Sequence, residues 1–240
     1  MVSSKTEIPG TGADLETRRK ARLKKLACWL LVDLSVAAVI FALLLYRPGL
    51  YNPDSIAPAS YKEEQVHPYL TYLSSELYNG AQRAKPFELL VTQKEINEVV
   101  AGLGWPMMSE GIMLYAPAVL FVPGSIVLMG TADIKGMEFV VTIGLELKVD
   151  EQGLLNLQVA KVKIGAMNIT PLAKMMARKM YAQRLATVPV DTEALQTKIV
   201  ASLLNDQPFD PVIKVENRKV RVAKIAVAEE KLTLHLVPAS

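Results

Sequence analysis

Residues 26–46 form a 21-residue apolar run that contains a single acid, Asp33. As a helix rising about 1.5 Å per residue, the run reaches roughly 31 Å, the thickness of a bilayer core. Directly before it stand Arg18, Arg19, Lys20, Arg22, Lys24 and Lys25. Such charge stays on the cytoplasmic side of a membrane. The pattern therefore predicts a single-pass protein of the cell membrane, with residues 1–25 as a cytoplasmic basic tail, 26–46 as the transmembrane helix and everything beyond as extracytoplasmic.

Asp33 costs about 2.5–3.5 kcal/mol near mid-helix, which the surrounding Leu, Val, Ile and Phe residues offset by up to roughly 4–7 kcal/mol. Insertion wins. The roles open to Asp33 are a contact with another membrane helix, a proton site, or an acid tolerated eight residues into the span. The run is too long for a typical signal-peptide core and no small-x-small site follows it, so an uncleaved anchor is expected. Cys28 lies at the start of the run and is the chain's sole cysteine.

Charge divides unevenly. The first 46 residues hold 7 basic and 4 acidic groups, and the remaining 194 hold 20 of each. A neutral ectodomain lacks the basic surplus a nucleic-acid partner would want. Without cysteine it is neither a disulfide scaffold nor a thiolate metal site.

Beyond the anchor, residues 47–60 contain Pro48, Pro53 and Pro58 and read as a stiff spacer. Residues 61–240 read as one α+β domain. A helix is expected over 61–78, kinked or restarted at Pro68. A strand over 87–91 leads into Thr92-Gln93-Lys94-Glu95, a capping box that opens a helix to about Leu103. From 112 to 166 the period becomes two. Phe139, Val141, Ile143, Leu145, Leu147 and Val149 share one face of a long strand, and Asp150-Glu151-Gln152-Gly153 makes a hairpin turn. On the next strand the parity flips near Val159-Ala160, which predicts a bulge. Residues 112–122 and 125–135 are apolar on both faces. With the long strand and its hairpin partner they make four consecutive antiparallel strands, followed by helices over 170–186 and 191–205 and three closing strands over 212–215, 219–227 and 232–237.

No catalytic signature appears: no His-Glu-x-x-His, no G-x-S-x-G, no phosphate loop. His67 and His235 stand apart from other metal-ligand residues, and acid pairs such as Glu229-Glu230 fall at turns. Asn168-Ile169-Thr170 spells a glycosylation sequon, but Thr170-Pro171 reads better as a helix cap. The helix over 172–185 carries Met175, Met176 and Met180 beside Lys174, Arg178, Lys179 and Arg184. Leu172, Met176 and Met180 share one face. They line either an apolar groove for a lipid or a plain core, since methionine suits adaptable apolar surfaces.

The segments 87–97 and 136–165, where a strand enters a helix and long meander strands follow, resemble bacterial YpmS-type membrane proteins. They are also similar in element order to LmeA-like phospholipid-binding proteins and other tubular lipid-binding domains. That resemblance implies a helix packed on a strongly curved antiparallel sheet that holds an apolar ligand. The expected function is then a membrane-anchored, non-enzymatic domain that binds a lipid or similar apolar group without cofactor or metal. The alternative is a scaffold or assembly subunit of an envelope complex, meeting a membrane-protein partner through Asp33 and the sheet.

Overall fold

The computed structural model describes residues 11–53, 66–109, 111–187 and 194–239, with side chains from residue 22 in the first span and up to residue 183 in the third. The chain divides into two compact units, Met1–Leu43 and Leu44–Ser240.

The first unit is helix α1, Thr11–Leu44. Its segment Arg22–Leu44, 23 residues, is long and apolar enough to cross a membrane. The helix starts at Thr11, well before the apolar run and inside the basic tail. Extending an existing helix costs little per residue compared with nucleating one, so the apolar segment propagates backward into its polar flank. Trp29, Leu30, Leu34 and Val39 are exposed.

The second unit is α+β, as the periodicities predict, and its strands divide into two antiparallel sheets. Helix α2 is Pro68–Gln82, with Pro68 in its first turn. His67 caps it, its Nδ1 accepting the Tyr69 N–H at 3.1 Å. Strand β1, Phe87–Thr92, runs into helix α3, Gln93–Ala101. Thr92 accepts the Glu95 N–H and donates its hydroxyl to the Glu95 carboxylate at 2.6 Å, a variant of the expected box. Then follow β2 (Met107–Ser109), β3 (Ile112–Val122), β4 (Ser125–Ile134), β5 (Met137–Val149), β6 (Leu155–Ile164) and β7 (Met167–Asn168). Helices α4 (Thr170–Thr187) and α5 (Leu195–Asn205) precede β8 (Val212–Val215), β9 (Arg218–Ala228) and β10 (Lys231–Ala239). One sheet runs β2-β3-β4-β5-β6-β7 and the other β1-β10-β9-β8.

The bulge expected at Ala160 is present. Gly144 pairs with Lys161 and Leu145 with Val159, leaving Ala160 as the extra residue. A second bulge lies in β3, where Tyr115 pairs with Thr131 and Ala118 with Met129. Ala116 there has φ 49° and Pro117 follows it. Proline cannot donate to a ladder and is confined to edges and bulges.

The core lies where the two sheets and α2 and α3 meet: Tyr69, Val91, Val99, Val119 and Phe121 are buried together. Where no neighbouring strand completes an edge, side chains do so. Asn97 accepts the Val119 N–H at 2.6 Å and donates to the Val119 carbonyl at 2.7 Å, and Gln93 accepts the Phe121 N–H at 2.7 Å. Residues four apart on α3 thus serve amides two apart on β3. On β6, Ser202 of α5 accepts the Leu157 N–H at 2.9 Å and Thr170 accepts the Val162 N–H at 2.7 Å. Thr170 therefore serves a strand, while its own N–H and hydroxyl donate to Asn168 Oδ1. Asn97→Ala should cost about 1–3 kcal/mol, because it leaves both backbone groups of Val119 without these partners. Urea unfolding of the variant against wild type checks this.

The expected spacer 47–60 is not free of the domain at its start. Tyr51 is 5% exposed and packs with Ala116, Met129 and Val140 against the six-stranded sheet. Residues 54–60 of the spacer lie outside the described residues, as do the first residues of the helices expected over 61–78 and 191–205.

Candidate functional site

Two adjoining depressions share Trp105, Tyr115 and Pro117 as walls. One, of about 370 Å³, is lined by Val100, Leu114, Val119, Leu128, Val141 and Ile143, with Gly130 in its floor. Register explains the lining. Leu128 pairs with Val119 and Ile143, and Gly130 with Val141, so these residues occupy one face of β3, β4 and β5. Helix α3 covers only part of that face, held to the β3 edge by Gln93 and Asn97. Trp105 closes one side, its indole N–H donating to the Val100 carbonyl at 2.9 Å. Gly130 leaves room because a Cβ there would meet only the Tyr115 carbonyl, at 3.8 Å. The two-faced apolar strands noted over 112–134 are thus half core and half groove wall.

The second depression, of about 430 Å³, adds Met113, Pro106, Asp133 and Glu138. Both volumes fall in the range of small-molecule sites, roughly 300–1,000 Å³. Glu138 is the polar hub of this mouth. One of its carboxylate oxygens accepts the Tyr115 hydroxyl and the other pairs with the Arg47 guanidinium. Asp133 accepts the Gly136 N–H at 2.7 Å. On the rim segment Leu103, Met107 and Met108 are exposed. By register Asp133 and Glu138 project from the opposite face of the sheet to Leu128, Val141 and Ile143, so the two depressions meet at the edge walled by Trp105, Tyr115 and Pro117.

The bulge at Ala116-Pro117 supplies a wall to both depressions, and Tyr51 fixes it from the sheet face opposite the apolar groove. The Tyr51 hydroxyl donates to the Ala116 carbonyl at 2.7 Å and lies 2.8 Å from Thr131 Oγ1. Burial raises the Tyr51 pKa. Burial also acts on Tyr115, and with the Glu138 carboxylate beside it the phenol is pushed up to about 12. A phenol whose folded pKa exceeds its unfolded value near 10 stabilises the fold below that value. That stability is lost as pH rises from about 10 through about 12. Tyr115→Phe should flatten this alkaline loss, as measured by thermal unfolding at stepped pH.

The residues singled out from sequence sit elsewhere. Leu172, Met176 and Met180 share a face of α4, as expected, but that face points outward, and none of the three lines either depression. The opposite side of α4, with Ala173 and Ala177, is the half-buried one. There Lys174 and Arg178 reach Asp206, at 3.7 and 3.5 Å. Small residues allow that side to approach β6 closely, which leaves the larger apolar ones outside. Asp33 lies in α1 and is exposed. His235 Nδ1 stands 3.0 Å from Glu88. Sequence reasoning passed over Tyr51, Trp105, Gly130 and Glu138; Pro117 inside an apolar strand was the one signal pointing toward them.

Family models, curated proteins and solved structures yield no match to this chain.

Proposed function

We propose that this chain is a single-pass membrane-anchored domain that holds the apolar part of a lipid, or of a similar amphiphile, and performs no covalent chemistry on it. In this reading α1 crosses the cell membrane with the basic tail in the cytoplasm, and Leu44–Ser240 is extracytoplasmic. The observation that carries it is the apolar groove walled by Leu128, Val141 and Ile143, which the depression bearing Glu138 and Asp133 on the other sheet face meets at Trp105, Tyr115 and Pro117. Aliphatic chain suits the first and a polar headgroup the second. In this reading the anchor keeps the domain in the company of membrane amphiphiles.

The experiment is native mass spectrometry of the full chain extracted in mild detergent, followed by solvent extraction of bound lipid. A discrete mass increment that extracts as lipid is the expected result. A wild type that carries no lipid, and takes none up from mixed lipid–detergent micelles, would defeat the reading.

A further inference from the structure

Helix α4 presents its apolar side to solvent. Leu172, Met175, Met176 and Met180 are 50%, 62%, 54% and 65% exposed. At 3.6 residues per turn they share one face, and Lys179 falls in the middle of it. The helices α4 and α5 together contain five basic residues and no acid. Two of the five, Lys174 and Arg178, turn to Asp206 on the far side of α4.

This combination distinguishes between kinds of partner. The buried centre of a protein interface is depleted in lysine. At a lipid surface the same residue is well suited: its long apolar stem lies along buried side chains while the ammonium reaches the headgroups. A helix face of Leu and Met with a lysine at its centre suits the interfacial plane, and the lysine favours anionic lipid. We infer that α4 seats its Leu172–Met180 face on an anionic bilayer surface, with Lys179 among the lipid phosphates. The inference rests on the membrane-anchored part of the proposed function, because the anchor keeps the domain beside a bilayer.

The test uses the full chain with Cys28→Ser and Met176→Cys, the new thiol labelled with an environment-sensitive fluorophore. A Glu151→Cys label on the β5–β6 turn serves as the control. Each is reconstituted into nanodiscs of phosphatidylcholine alone or mixed with phosphatidylglycerol. With phosphatidylglycerol present, the label at 176 should shift to the blue and become shielded from aqueous iodide, while the label at 151 stays wet. Lys179→Gln should lower the ratio of seated to unseated label about fivefold. Equal iodide quenching in both lipids would overturn the inference. So would shielding that ignores lipid charge and comes with energy transfer between labelled copies, since a second copy would then cover the face. Anchoring is read separately, from co-purification of chain and disc. If it fails, the same labelled chain added to preformed vesicles of the two compositions reports on α4 alone.

Discussion

Replacing Tyr51 with alanine should lower the stability of the folded domain by about 3–5 kcal/mol, the cost of emptying a buried aromatic site. In a domain of this size each kcal/mol moves Tm by about 2–4 °C, so a fall of roughly 6–20 °C is expected. The reasons are local. The ring is buried with Ala116, Met129 and Val140, and the hydroxyl serves the carbonyl of a bulged residue at positive φ. Tyr51→Phe keeps the ring and removes only that donor, so it should cost about 1–3 kcal/mol. Thermal unfolding of the detergent-solubilised chain, followed by circular dichroism, separates the two losses. A Tyr51→Ala variant within about 1 kcal/mol of wild type would mean that the segment contributes nothing the sheet needs.

Gly130→Leu should leave Tm unchanged or slightly higher and lower bound lipid by roughly tenfold or more. Glycine inside a strand costs about 0.5–1 kcal/mol relative to alanine. A Cβ at Gly130 meets no atom closer than the Tyr115 carbonyl at 3.8 Å. The leucine would instead occupy groove volume. Excluding two methylenes of a ligand, at about 0.8 kcal/mol each, is worth roughly tenfold in affinity. Were the groove filled by neighbouring side chains, the same change would overpack it at about 1–3 kcal/mol. Bound lipid and Tm, measured on the same preparation, distinguish these results. As a control, Met176→Trp at an exposed site should change Tm little.

The strands were legible because their faces differ. Alternation along residues 137–149 sets the long strand, and the parity flip at Ala160 marks its neighbour's bulge before any pairing is known. Thr92 and Glu95 announce α3 in the same way. What sequence does not carry is which apolar face finds a cover. On α4 both sides offer something to bury, Ala173 and Ala177 against Leu172, Met176 and Met180. Close approach to β6 and the reach of Lys174 and Arg178 to Asp206 decide for the small side. The groove lies on residues that read as ordinary strand, because its shape depends on where α3 stops and Trp105 crosses. Gln93 and Asn97 had a local role available in the helix, so their duty to Val119 and Phe121, more than 20 residues away, had no local signature.

The Tyr51 contact also fixes where the second unit can be detached from helix α1. Proline spacing alone invites a cut near residue 60. Any cut after Pro53, by an engineer's primer or by a protease, leaves Tyr51 and Arg47 on the wrong fragment. The released piece would keep both sheets and lose the side chains that brace Ala116 and Glu138. A faithful soluble version begins at or before Arg47, and shedding in the spacer would also loosen the groove.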